Sequence, residues 1–221
     1  MTTHAAEPNK RHKTRTTYAT FVRDVEHLCR EDPGARAALR SGLRRDLDHP
    51  RARPMHRLLT PLLPEQCDDR TAQAHYTVAS LIAAQPRHTF APEPNDDEAT
   101  AAEQDEQLLE NGGEPAEAAA SAEIPPYGTS FGATLGQAVI AKGASMRKSA
   151  AESRINLLTR QSLRGIHLHL PAAVNQVRTT DATIDWGQLL ADLINWPYQS
   201  GRISRRWLQD FYRITASADK G

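Results

Sequence analysis

The sequence predicts an all-α protein, with two small helical bundles joined by an acidic, disordered linker. Aromatic residues make up only 5% of the 221 residues, and much of the 39% hydrophobic content is alanine, whereas strands favour β-branched and aromatic residues. No segment shows the apolar and polar alternation of a half-buried strand. Apolar residues instead recur every three or four positions, which is the spacing of one helix face.

Five segments are expected in chain order. They are a basic disordered tail (1–15), an N-terminal helical bundle (16–91), the acidic linker (92–126), a C-terminal helical bundle (127–215) and a short tail (216–221).

Four helices are predicted in the N-terminal bundle. The first covers about 18–29, where apolar residues repeat with helical spacing. Asp32 precedes a proline and is a typical N-cap of the second helix, because its carboxylate can accept hydrogen bonds from free backbone N–H groups. A short third helix is expected over 55–63, and a fourth begins at Asp68 or Asp69.

The linker is identified by its charge. Residues 92–126 contain eleven acidic residues and no lysine or arginine, so the rest of the chain has 27 basic and 16 acidic residues although the net charge is zero. Prolines lie at both ends, and the segment has too few large apolar residues to order itself. It is expected to be a solvated insert; an alternative is an acidic cover for a basic face, displaced by nucleic acid.

Five helices are predicted in the C-terminal bundle. Ser130 starts the first, on which Gly132 and Gly136 are expected to allow another helix to approach closely. Ser149 and Glu152 have the spacing of a capping box for the second helix, and an earlier start near Ser145 is the alternative. The remaining helices are expected over about 162–178, where Pro171 would kink or divide the helix, over 185–194 with Asp185 as N-cap, and over 202–214.

Enzyme activity, cofactors and metal ions are not expected. The sequence has no phosphate-binding glycine loop and no nucleophile elbow, and His167 and His169, two residues apart on a helix, point to different faces. Trp186 and Trp207 lie on apolar helix faces and are expected in the core, whereas Trp196, which precedes Pro197 at a helix end, is expected to be more open and is the remaining candidate for base stacking.

A cytoplasmic protein without a membrane partner is expected. No apolar run approaches the length of a membrane span, and no secretory signal is evident at the N-terminus. The chain has two cysteines, 38 positions apart, which does not indicate a disulfide scaffold and is consistent with a reducing compartment.

Basic residues provide the main functional signal. Residues 127–215 contain eleven basic and five acidic residues. Most of the basic residues are arginine, whose planar guanidinium group suits the binding of phosphate. One group is expected along the second helix of the C-terminal bundle: Arg147, Lys148, Arg154 and Arg160. A second group lies at the start of the last helix: Arg202, Arg205 and Arg206. Such a surplus predicts a polyanionic partner.

Several segments in the C-terminal half resemble one family. The matching motifs are Ser130-Phe131-Gly132-x-x-Leu135, Glu152-Ser153-Arg154-Ile155-x-x-Leu158, Ile184-Asp185-Trp186-x-x-Leu189-Leu190-x-Asp192-Leu193-x-x-Trp196 and Trp207-x-x-Asp210-Phe211-Tyr212. Their order and spacing are similar to those of the CasB family, the small subunit of the type I-E CRISPR effector called Cascade. The resemblance covers 127–215 well and 16–90 more loosely.

The resemblance implies a non-catalytic subunit that binds nucleic acid and stabilises the R-loop, in which guide RNA pairs with the target strand and the other DNA strand is displaced. The implied partners are the other Cascade subunits, including the backbone that holds the CRISPR RNA, the target and displaced DNA strands, and a second copy of the chain. Arg70 and Arg154 resemble the family's nucleic-acid-contacting arginines. Pro171 and Ala172 depart from the family pattern, since some relatives have a basic pair there.

Two other functions remain open at the level of sequence. A helix-turn-helix regulator of duplex DNA would need a recognition helix, and residues 147–160 are the candidate for one. An adaptor that binds only protein would use the basic surface to dock an acidic neighbour.

Overall fold

The structure is all-α, as the sequence predicts. The computed structural model describes residues 9–90, 128–141 and 146–218, which form eight α-helices and no strand. The helices are α1 (Asn9–Glu31), α2 (Pro33–Arg40), α3 (Arg53–Leu59), α4 (Asp69–Ala83), α5 (Phe131–Ile140), α6 (Lys148–Thr159), α7 (Leu163–Val177) and α8 (Trp186–Ala218). The predicted acidic linker, 92–126, and most of the predicted tails lie outside the described residues.

Helix α8 is the element around which the others pack. It contacts α5 most extensively and also packs against α1, α4 and α6. Apolar residues from both sides of the predicted linker form one continuous core. Its largest fully buried side chains include Met55, Phe131, Leu135, Trp196, Trp207 and Phe211. The two predicted bundles therefore pack against each other through shared apolar surface.

The close contact between α5 and α8 depends on two glycines, as predicted. A β-carbon at Gly132 would lie 1.9 Å from the Trp207 carbonyl oxygen, which belongs to the backbone of α8. A β-carbon at Gly136 would lie 3.0 Å from the side chain of Ile214. Since the first distance leaves no room for any side chain, Gly132 sets how closely the two helices approach.

The predicted helix starts are mostly confirmed by their caps. The Asp32 carboxylate accepts hydrogen bonds from the backbone N–H groups of Gly34 and Ala35, at 2.7 and 3.0 Å. Asp68 caps α4 by accepting from Thr71 at 2.9 Å, and Asp185 caps α8 by accepting from Gln188 at 2.8 Å. The sequence signal is reliable at these positions because a cap involves only neighbouring residues.

The predicted capping box at Ser149 is wrong. Helix α6 begins at Lys148, and the residue in front of it, Arg147, has the extended backbone of an N-cap with no side-chain cap hydrogen bond. Ser149 therefore already has a helical backbone, whereas an N-cap residue needs a non-helical one.

The N-terminal boundary of the first bundle also needs correction. Helix α1 begins at Asn9, so residues 9–15 of the predicted disordered tail are helical. Arg15 donates to the Asp185 carboxylate at 3.2 Å and to the Gln188 side chain at 3.5 Å. These contacts with the start of α8 stabilise a part of α1 that has no apolar pattern. At the other end, α8 continues to Ala218, into the predicted C-terminal tail.

Of the two later helices that contain a proline, only α8 is interrupted. Helix α7 continues through Pro171, so the expected division of this helix does not occur. Helix α8 contains Pro197 and is interrupted at Gln199, whose backbone angles (φ −134°, ψ 21°) are not helical. The two predicted helices in this region are therefore consecutive segments on either side of Gln199.

The prediction for one of the three tryptophans is wrong. Trp196 is only 1% exposed, and its indole N–H donates to the Gln161 carbonyl at 3.1 Å. Trp186 is half-buried at the edge of the core, whereas Trp207 is fully buried as expected. Trp196 lies 5.3 Å from Trp207, between ring centroids, and is part of the core rather than a surface for base stacking.

Candidate nucleic-acid interface

Helix α6 presents most of the first predicted basic group on the surface. Arg147 and Arg160 are the residues that flank the helix, and both are exposed, as is Lys148 in the first turn. Arg154 lies in the middle and is half-buried, and its Nε donates to the Gln176 side chain on α7 at 2.9 Å. The structure therefore holds Arg154 in place and leaves the flanking residues accessible to solvent.

Arg154 also lines a cleft of about 580 Å³ where α4, α6, α7 and the segment after α2 meet. Two arginines that the sequence did not single out as binding residues, Arg44 and Arg178, line the same cleft. Along the chain, Arg44 and Arg154 are 110 positions apart, and Arg154 and Arg178 are 24 positions apart. No sequence motif connects such distant residues, so only the fold shows the cluster.

The second predicted basic group is divided between two roles. Arg202 and Arg205 follow the break at Gln199 and are exposed. Arg206, one residue further, forms an ion pair with Asp192 on the other segment of α8. Arg202 and Arg205 therefore remain candidates for phosphate contact, whereas Arg206 already has a carboxylate partner.

Asp192 is a buried carboxylate, and three side chains donate to it. Its side chain is 4% exposed and accepts from Trp207 at 2.7 Å, from Gln188 at 2.8 Å and from Arg206. Burial raises the pKa of Asp192, and the Arg206 guanidinium and the other two donors act in the opposite direction. The network links the two segments of α8 across the break and gives Arg206 a structural role.

Arg70 lies apart from the cleft that Arg154 lines. It is exposed in the first turn of α4, between Asp69 and Thr71. Ala84, at the opposite end of that helix, lines the cleft. Fourteen residues of helix span about 21 Å, so Arg70 and Arg154 do not form one compact site.

A thiol and an imidazole, those of Cys29 and His167, are buried in the fold. Burial raises the pKa of the Cys29 thiol to about 11 and lowers the pKa of His167 to about 4. His167 accepts or donates a hydrogen bond at Nδ1 to Thr77 at 2.9 Å, across the α4–α7 contact. Within 9–90, 128–141 and 146–218, no group of three or more His, Cys, Asp or Glu residues is placed to hold a metal ion.

The helices that the structure describes are too short or too polar to cross a membrane. This applies also to α8, which is the longest of them but is interrupted at Gln199 and has arginines along its second segment.

Comparisons with solved structures show a common fold. A chain of a CRISPR RNA-guided surveillance complex in a pre-nicking state matches with a TM-score of 0.70 and 30% identity, covering 93% of this chain and 97% of that chain. A chain of another CRISPR RNA-guided surveillance complex matches with a TM-score of 0.69 and 29% identity, covering 94% and 98%. M. ruber CasB has the same fold, with a TM-score of 0.62, 20% identity and coverage of 92% and 97%.

Comparisons of sequence identify a family. No curated protein matches this chain. The family model for the CRISPR-associated protein Cse2 matches residues 35–212, which include α3 to α7, nearly all of α2 and α8 up to Tyr212. Because this match spans most of the chain and the fold agrees over nearly its whole length, the chain belongs to the Cse2 family of CRISPR-associated proteins.

Proposed function

We propose that this chain is the non-catalytic small subunit of a type I-E CRISPR RNA-guided surveillance complex, Cascade. The observation that carries the proposal is the match, at 30% identity and over nearly the full length of both chains, to a chain of a CRISPR RNA-guided surveillance complex. The proposed partners are the other subunits, the CRISPR RNA, the target and displaced DNA strands, and a second copy of this chain.

Within that complex, the basic side chains stabilise the R-loop. The exchange of a DNA duplex for an RNA–DNA duplex is nearly balanced in free energy. A few contacts to the backbone of the displaced strand can therefore shift the equilibrium towards the R-loop. Guide pairing supplies the sequence specificity, and arginines that contact phosphate need no base-reading element. The proposed contacts are Arg70, Arg147, Lys148, Arg154, Arg160, Arg202 and Arg205, with Arg206 contributing through its exposed 40%.

A tagged full-length chain recovered from its source organism, with and without RNase, tests the assembly. We expect several other proteins and a guide-length RNA to be recovered with it, and RNase to remove the RNA. An untagged strain provides the background.

Two results would overturn the proposal. Recovery of the chain alone, with affinity for one duplex sequence, would favour the helix-turn-helix regulator. Recovery of protein partners with no RNA in the untreated sample would favour the protein-only adaptor.

A further inference from the structure

We propose that Tyr198, at the exposed tip of α8, is a stacking platform for one unpaired base of a single-stranded nucleic acid. The tip comprises residues 198–202, on either side of the break in the helix. The inference rests on the proposed function and deepens it, because it adds contact with a base to the phosphate contacts of the arginines.

The two segments of α8 fold back on each other at this tip. Asp192 accepts a hydrogen bond at 2.7 Å from the indole of Trp207, which is 15 positions later in the chain, and the ring centroids of Trp196 and Trp207 lie 5.3 Å apart. In a continuous helix, 15 positions would span about 22 Å. The break at Gln199 therefore reverses the chain, and residues 198–202 lie at the outer end of a helical hairpin.

Tyr198 is unusually exposed for an aromatic residue. Its exposed fraction is 73%, the highest among the large hydrophobic residues in the described part of the chain. Its side chain makes no hydrogen bond and no ring contact with the other described residues. The preceding Pro197 has a fixed φ, and a tyrosine side chain has only two torsions, so holding the ring in one orientation costs little conformational freedom.

Two hydrogen bonds attach the hairpin to the end of α6. The Trp196 indole N–H donates to the Gln161 carbonyl at 3.1 Å, and the Ser204 hydroxyl donates to the Thr159 carbonyl at 3.1 Å. Arg160 lies between these two acceptors in the chain. The fold therefore places one arginine of the first predicted basic group beside the hairpin that carries the second group.

The charge at this corner of the molecule is uniformly positive. Arg160, Arg202 and Arg205 are exposed, and none of them forms an ion pair with another described residue. The sequence contains no aspartate or glutamate in residues 153–180 or 193–209. An exposed aromatic ring next to arginines is typical of proteins that bind single strands, in which bases stack on the ring and the basic side chains follow the backbone.

The surroundings of Tyr198 favour a base over a protein partner. A tyrosine that anchors a protein interface lies in a core depleted of charge, with further contacts that exclude water around it. The other four residues of the tip are exposed and provide no large apolar surface: Gln199, Ser200, Gly201 and Arg202. Nothing lies within 4 Å of a β-carbon at Gly201, so the tip has open space beside it. A base needs only the ring face and such space.

The test measures fluorescence anisotropy of the isolated full-length chain with a fluorescein-labelled single-stranded DNA of about 20 nucleotides, which is longer than one typical site. We expect Tyr198→Ala to bind about tenfold more weakly, within the range for loss of one stacked base, and Tyr198→Phe to bind as the parent chain does. The salt slope of Tyr198→Ala should equal that of the parent, because stacking releases no counterions. The matched control is Tyr212→Ala, another exposed tyrosine of α8 outside the tip.

A strand of the same length without bases separates stacking from backbone contact. The parent chain and Tyr198→Ala should bind this abasic DNA equally. Three results would overturn the inference: equal binding of normal DNA by the two chains, an equal loss on normal and abasic DNA, or no binding of normal DNA by the parent at about 50 mM salt. Normal DNA binding by a Tyr198→Ala chain that no longer joins other subunits would make Tyr198 a protein contact instead.

An RNA of the same sequence identifies the kind of strand. A loss with DNA alone assigns the platform to a DNA strand, a loss with RNA alone assigns it to RNA, and a loss with both shows that the ring stacks on either.

The result is separable from that of the proposed function, because the binding test does not require the complex. If the chain recovers guide RNA and other subunits but Tyr198→Ala binds DNA normally, the platform falls and the function stands. If the chain recovers no complex but Tyr198→Ala binds only normal DNA more weakly, the function falls and the platform stands.

Discussion

The backbone of Trp207 lies so close to Gly132 that a β-carbon at residue 132 would overlap its carbonyl oxygen, at 1.9 Å. The atom it would meet belongs to the main chain of a buried helix and cannot move aside as a flexible side chain could. This contact joins α5 to the segment of α8 that carries the buried side chains of Trp207 and Phe211.

Replacing Gly132 with alanine is therefore expected to destabilise the protein by about 3 kcal/mol, at the upper end of overpacking effects. Urea unfolding followed by circular dichroism measures the change. Gly201→Ala is the matched control, because nothing lies within 4 Å of a β-carbon there, and alanine in an exposed helix is expected to add up to about 1 kcal/mol. Equal stability of the two variants would contradict the packing argument.

Replacing Arg206 with alanine is expected to lower stability by about 1–2 kcal/mol. The charged hydrogen bond to Asp192 is lost, although Trp207 and Gln188 still donate to that carboxylate. The value is below that for a fully buried pair because the Arg206 side chain is 40% exposed. Arg202→Ala, in the same helix segment and exposed, should stay within about 0.5 kcal/mol. A loss as large for Arg202 would show that the Asp192 network is not the cause.

The stability of the protein is expected to fall as the pH decreases from about 6.5 to about 4. Burial lowers the pKa of His167 to about 4, while the charge of Asp46 acts in the opposite direction. Its Nε2 is buried and has no hydrogen-bond partner in the described structure. The unfolded chain therefore takes up a proton at this residue before the folded chain does, which favours unfolding by up to about 3 kcal/mol.

His167→Asn can keep a hydrogen bond to Thr77 and has no group that titrates in this range. Denaturant unfolding at a series of pH values gives the free energy of unfolding as a function of pH. Between pH 6.5 and 4, the slope of this curve should be shallower for the variant than for the parent chain, by the equivalent of up to one bound proton. Identical slopes for the variant and the parent chain would show that His167 is not the group that titrates.

Replacing both Arg70 and Arg154 with alanine is expected to weaken binding of single-stranded DNA and of an R-loop. Each lost phosphate contact should flatten the salt dependence by about one unit. Arg23→Ala is the control, since Arg23 is exposed on α1 and lies 3.9 Å from Asp24. An unchanged salt slope in the double variant would argue against direct contact by these two residues.

The sequence was most informative where structure depends on neighbouring residues. Asp32, Asp68 and Asp185 cap helices as predicted, and Gly132 and Gly136 lie at a close helix contact as predicted. In each case, a residue of that type at that position in the sequence has few other structural roles. The family assignment came from the same kind of information, namely short motifs in a fixed order.

Long-range contacts were less predictable. Trp196 was expected to be open because a proline follows it, yet the neighbouring Gln161 carbonyl and Trp207 ring enclose it. Arg206 was grouped with Arg202 and Arg205 by sequence, but it forms an ion pair with Asp192, 14 residues earlier in the chain. The cleft combines residues from four separate segments, and no spacing rule relates Arg44 to Arg154 or Arg178.

The position of α8 at the centre of the core also determines the order in which this protein can mature during synthesis. Helices α1, α4 and α5 are made before α8, against which part of their apolar surface packs. Folding of the first 185 residues is therefore incomplete until α8 follows, and contacts between such distant parts of a chain form slowly. A product that stops before Trp186 would lack the helix that completes the core, and we expect it to aggregate rather than to fold.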